Sequence, residues 1–108
     1  MMDNRPNITL FCSDNIDREY INEILWGIEE EEIPYLLKIV PSKEVVKENY
    51  VSGTLEIGIG VLENGDALLT TRKYDKEYIQ KANIFVEKNK LRDLGSNGAR
   101  LVKGLPLR

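Results

Sequence analysis

The sequence predicts an α/β fold, a three-layer sandwich around a mixed, mostly parallel sheet of about five strands. Three observations lead there. An apolar run at Ile8–Cys12, a helical pattern through Ile28 and a second apolar run at Tyr35–Val40 make a strand–helix–strand unit. Such a unit implies parallel pairing with a right-handed crossover. The Asn64-Gly65 pair, set between two strand-like runs, predicts a hairpin and so an antiparallel pairing. From Leu91 onward the apolar residues return to helical spacing.

Taken in order, ITLFC at Ile8–Cys12 is short, apolar and β-rich, as a largely buried strand should be. Ser13, Asp14 and Asn15 offer N-cap oxygens, and Asp17 and Glu19 place negative charge in a first turn. These signals predict a helix from about Asn15 to about Glu31. Its apolar stripe is Ile21, Ile24, Leu25 and Ile28, with Trp26 beside it as core rim or as a partner-facing anchor. Pro34 stops the helix, and Tyr35–Val40 is the second strand. Pro41-Ser42 opens a short helix, SKEVVKENYV.

Leu55–Leu62 reads as the third strand, with Ile57, Ile59 and Val61 alternating with Gly58 and Gly60. One face is apolar and the other nearly bare, the mark of a bend or of a close backbone approach such as a helix packed tightly on that face. A phosphate loop does not fit, because neither G-x-G-x-x-G nor G-K-[ST] is present. Asn64-Gly65 predicts a two-residue type I′ turn, followed by a strand over Asp66–Lys73. Lys76–Lys81 is expected as a short helix or turn, and Ile84–Glu87 as the fifth strand. The C-terminal helical region is expected to break, or to be capped anew, at Gly95-Ser96-Asn97-Gly98.

The feature that stands out is the run Glu29-Glu30-Glu31-Glu32 at a helix C-terminus. The helix dipole is already negative there, so each carboxylate costs a few tenths of a kcal/mol, roughly. The run is either a solvated face or a negative site for something positive. Helical periodicity points the four side chains in different directions, so one ligand cannot use them all.

Composition narrows the function. At 108 residues the chain is expected to form one domain. A net charge of −3 argues against a nucleic-acid partner, and no apolar run is long enough to cross a membrane. The first residues, MMDNRPN, lack the apolar segment of a signal peptide. The single cysteine, Cys12, fits a reducing cytoplasm and a buried structural thiol. There is no histidine, which removes Ser-His-Asp and Cys-His catalysis and histidine-bound metals together.

Three stretches, INEILWGIEEEEIP, LEIGIGVLENGDALLT and LRDLGSNGARLVKGLPL, together resemble the small subunit of diol/glycerol dehydratase reactivating factors. The resemblance implies a fold like that of the dehydratase medium subunit and a chaperone component without catalysis of its own. Its partners would be a large subunit that carries the ATPase and its ATP or ADP, in a heterotetramer, and the coenzyme B12-dependent dehydratase. The complex would release damaged cobalamin by exchanging this chain for the dehydratase medium subunit, in the cytoplasm or in a bacterial microcompartment. The W-G-x-E-E motif implies that Glu30 reaches a divalent cation, Mg²⁺ or Ca²⁺, at the interface with the large subunit. Trp26, Glu29, Glu31 and the Gly58/Gly60 strand are the expected interface residues. Where the family has Gln-Gly, this chain has Glu31-Glu32, so the C-cap glycine is absent and the helix end is altered.

The runner-up is the dehydratase medium subunit itself, a cobalamin-binding component that is similar but longer at its N-terminus. A stand-alone enzyme using Asp14 or the glutamates as acid and base is the third alternative, and it predicts turnover by this chain alone. Isolated from its partner, the chain could self-associate.

Overall fold

The computed structural model describes residues 8–41, 57–71 and 78–108. Five strands form one sheet: β1 (Ile8–Ser13), β2 (Tyr35–Val40), β3 (Ile57–Val61), β4 (Asp66–Thr71) and β5 (Gln80–Asn83), in the order β2-β1-β3-β4-β5. β1 pairs in parallel with β2 and β3, whereas β4 runs antiparallel to both its neighbours. All strands but β4 therefore point the same way. The mixed, mostly parallel sheet expected from the strand–helix–strand unit and the hairpin is present.

Among the described residues two helices, α1 (Asn22–Glu30) and α2 (Leu91–Lys103), pack on one sheet face with a shared core. That face presents Ile8, Leu10 and Cys12 from β1, Ile59 and Val61 from β3, Ala67 and Leu69 from β4, and Ala82 from β5. These are alternate residues in register across the sheet, for example Leu10 opposite Ile59 and Ile59 opposite Leu69. The helix expected at 42–51, which would supply the third layer, lies outside the described residues. Cys12 is fully buried, and burial pushes its thiol up to about 11, as befits a structural cysteine.

Several local expectations are corrected. The first helix begins later than Asn15: a 3-10 turn covers Arg18–Ile21, and neither segment has a side-chain cap. The Ser13 hydroxyl instead bonds the Asn15 side chain, whose Nδ2 donates to Glu63 O at 3.1 Å across the loops. The hairpin is not type I′, because only Gly65 has positive φ, at 93°. Gly65 N–H donates to Leu62 O and Leu62 N–H to Asp66 O, which makes a three-residue loop with Gly65 in the left-handed position. Asn64 keeps an ordinary φ and accepts the Asp66 N–H on Oδ1 at 3.0 Å.

The fifth strand is Gln80–Asn83 and not Ile84–Glu87, so Gln80 and Lys81 are not helical either. Asn83 ends it, since its Oδ1 accepts the N–H groups of Phe85 and Val86 and folds the chain into a turn. The predicted break at Gly95–Gly98 is absent, and α2 runs unbroken through it.

That last correction explains the helix pair. A Cβ built on Gly95 would lie 2.0 Å from the Ile24 carbonyl oxygen, and one on Gly27 would lie 2.1 Å from that of Arg92. Two glycines, one from each helix, thus let the α1 and α2 backbones touch. Ser96 and Asn97 in the same turn are buried but satisfied: Ser96 Oγ donates to Glu31 and Asn97 Nδ2 to Gln80. Glycines that look like a break in one dimension are the contact in three.

Candidate functional site

The close crossing brings the C-terminal end of α1 alongside α2 and assigns the four glutamates to different tasks. Glu31 turns inward. Its carboxylate accepts from Ser96 Oγ at 2.8 Å and meets Arg100 Nη1 at 3.2 Å and Lys103 Nζ at 3.0 Å. Lys103 also donates to the Glu31 carbonyl at 2.9 Å, satisfying a helix-end oxygen. Cations from the last turns of α2 therefore offset the negative end of α1, so the cost expected from the sequence is met within the chain.

The hydrogen bond from Lys103, followed by that from Ser96, lowers the Glu31 pKa to about 2. A carboxylate whose folded pKa lies below its unfolded value of 4.5 stabilises the fold above pH 4.5. That stability is lost as pH falls through about 2. Glu31→Gln should accordingly be less stable than wild type at neutral pH. The gap should close between pH 4.5 and about 2 in urea titrations at stepped pH. A gap independent of pH would mean that the carboxylate charge is not what matters.

Glu32 follows the helix with φ 61°, the one non-glycine residue in the left-handed region among the described residues. The backbone therefore takes the conformation a C-cap glycine would take, without the glycine. Glu32→Gly should raise stability by about 0.5–1 kcal/mol, since left-handed strain exceeds the added chain entropy of glycine. A higher urea midpoint with an unchanged slope is the expected result.

Glu29 accepts from the Tyr35 hydroxyl at 3.1 Å and is exposed. Glu30 is 49% exposed, and its partner is Arg92 Nη1 at 3.4 Å. Arg92 grips the Glu23 carboxylate through Nε and Nη2, both at 3.3 Å. Its guanidinium carbon also lies 5.5 Å from the centre of the Trp26 ring. Trp26 itself is 45% exposed, so it is a surface side chain and not core rim. Trp26, Arg92 and Glu30 thus form one exposed edge. An aromatic ring and a guanidinium held in place are the residue types that dominate protein interfaces.

Gly58 and Gly60 are elsewhere. They pair with Thr9 and Phe11 on the sheet face opposite the two helices, and both are buried. Thr70 Oγ1 donates to Gly58 O at 3.3 Å, and Phe11, 1% exposed, lies next to Gly60 in the register. The predicted interface residues therefore divide between two faces. Sequence reasoning missed Arg92, Arg100, Lys103 and Ser96 as partners of the glutamates. Those pairs are 62–72 residues apart in the chain, and no local pattern marks them.

As for a metal, a hard divalent cation takes carboxylate oxygens, and Glu30 presents one at the surface. No group of three or more candidate metal-binding side chains occurs among the described residues. Glu30, already paired with Arg92, is one potential oxygen ligand and by itself makes no cation site.

The geometry can be set against known proteins. The sequence profile of the dehydratase medium subunit family matches residues 5–108. The chain belongs to that family. Among similar proteins, the propanediol dehydratase-reactivating factor small subunit of Citrobacter freundii is 32% identical, over 95% of this chain and 90% of that one. The diol dehydratase-reactivating factor small subunit of Klebsiella michiganensis is 34% identical, over 95% and 84%. Two solved structures share the family fold. A glycerol dehydratase reactivase chain superposes with a TM-score of 0.82 at 27% identity, covering 95% of this chain and 96% of that chain. A chain of a diol dehydratase-reactivating factor complexed with ADP and Mg²⁺ gives 0.80 at 30% identity, covering 95% and 97%. Within the dehydratase medium subunit family, then, the chain is similar to reactivating-factor small subunits.

Proposed function

We propose that this chain is the small subunit of a dehydratase-reactivating factor, a chaperone component with no catalysis of its own. The observation that carries this is near end-to-end correspondence, in sequence and in fold, with reactivating-factor small subunits. The alternative, a dehydratase medium subunit, shares the family profile, but the relatives and solved structures named above are reactivating factors. With a large subunit that carries the ATPase, the complex releases damaged cobalamin from a B12-dependent diol or glycerol dehydratase. It does so by exchanging this chain for the dehydratase subunit it resembles, in the cytoplasm or in a microcompartment.

Exchange needs an interface that is specific but can reopen, which suits an aromatic anchor ringed by charge better than a wide apolar sheet. The edge of Trp26, Arg92 and Glu30 has that make-up, and we assign it to the large subunit. Glu29 borders it, whereas Glu31 ties α1 to α2 and keeps the edge in shape. Gly58 and Gly60 are buried, so the contact is assigned to the helix edge and not to β3. Glu30 supplies one oxygen ligand to a divalent cation held by the large subunit, and in doing so leaves Arg92 to Glu23.

The experiment is co-purification with a reactivating-factor large subunit, with and without Mg²⁺, for wild type and Glu30→Ala. A stable complex that the mutation weakens only in Mg²⁺ is the expected result. A complex indifferent to the mutation would keep the chaperone function and remove the metal bridge. Failure to bind the large subunit, with binding to dehydratase subunits and cobalamin instead, would identify a medium subunit.

A further inference from the structure

Near the start of α1, a cleft of about 260 Å³ is lined by Glu19, Tyr20, Glu23, Ile84, Lys88 and Leu91. Ile84 and Leu91 belong to the core, so the deepest part of the cleft is apolar. Beside it the turn after β5 exposes Phe85 at 43% and Val86 at 80%. This turn is braced. Asn83 Oδ1 accepts the N–H groups of Phe85 at 2.9 Å and Val86 at 3.3 Å. Glu87 accepts the Asn83 N–H at 3.0 Å and pairs with Lys90 at 2.9 Å. The Phe85 ring stands edge-on to Tyr20, with centroids 5.0 Å apart. Apolar side chains on backbone that is already ordered lose little entropy on binding.

The charges around the cleft add specificity. Glu19 is exposed, and its side chain makes no hydrogen bond or ion pair to any described residue. Lys88 lies 6.0 Å from the Tyr20 ring centre and has no carboxylate partner among the described residues. The cleft thus carries one anionic and one cationic side chain, neither in an ion pair with another described residue, around an apolar floor. Glu23 lines the cleft and also holds Arg92, which touches Trp26 and Glu30. The cleft and the glutamate edge are one continuous face.

We propose that the contact with the large subunit continues along this face into the cleft. There it receives an apolar side chain flanked by a cationic group for Glu19 and an anionic group for Lys88. This rests on the reactivating-factor function proposed above.

The test is the affinity of the purified large subunit for the full chain carrying Val86→Asp, and for the double variant Glu19→Lys/Lys88→Glu. All three sites are on the surface, and circular dichroism and thermal melting should match wild type. Each variant should weaken binding about tenfold or more. If wild type binds and both variants stay within about twofold of it, the cleft is not part of the contact and the small-subunit function stands. If wild type itself does not bind, both proposals fall. If the variants lose self-association or dehydratase binding but keep the large subunit, the cleft belongs to that other partner and the inference is overturned.

Discussion

Gly95→Ala should lower the stability of the fold by about 3 kcal/mol or more, although alanine is the better helix former by about 1 kcal/mol. The sign is reversed by one contact. A Cβ at this position would sit 2.0 Å from the backbone oxygen of Ile24, and no rotamer can relieve a clash with main chain. Either α1 and α2 separate, opening the core they share with the sheet, or α2 shifts and pulls Ser96 and Arg100 away from Glu31. Urea denaturation measures the effect directly. The same substitution at Gly104, which has open space around it and φ 73°, should cost only the left-handed strain, about 1–2 kcal/mol. A stabilised or unchanged Gly95→Ala variant would show that the helix backbones are not in contact.

The second large effect is on the other sheet face. Phe11→Ala should cost about 3–5 kcal/mol, the range for a buried aromatic side chain. Phe11 is 1% exposed, sits next to Gly60 in the register, and lies 5.7 Å from Lys38 Nζ at its ring centre. The bare side of β3 therefore has a bulky neighbour on β1, and glycine at 60 leaves room for it. A loss of less than about 1 kcal/mol would mean that Phe11 is not packed, and that this face is available to a partner.

Both predictions bear on what was legible in the chain. The strands β1 and β2 with the helix between them follow from short apolar runs and a 3.6-residue stripe, which depend on near neighbours only. The existence of the hairpin was equally plain in Asn64-Gly65, but its type was not. Whether Asn64 takes a positive φ depends on where its side chain finds a donor, and here that donor is the Asp66 N–H. Ile84, Phe85 and Val86 look like a strand in sequence, yet the fifth strand lies a few residues earlier, at Gln80–Asn83. The Asn83 side chain, by accepting two N–H groups, turns Phe85 and Val86 onto the surface instead, while Ile84 stays in the core.

The glutamate run divides the same way. Its position at a helix C-terminus, its excess of negative charge and the missing C-cap glycine are properties of the sequence alone, and so is the pattern that resembles reactivating-factor small subunits. Which glutamate is internal and which is available was decided only by tertiary structure. Glu31 is matched to Ser96, Arg100 and Lys103, Glu30 to Arg92, and Glu32 takes the left-handed turn. The physical reason is range. Periodicity and capping act within a turn or two of chain, whereas these ion pairs exist only because Gly27 and Gly95 let two helices, distant in sequence, approach to backbone contact.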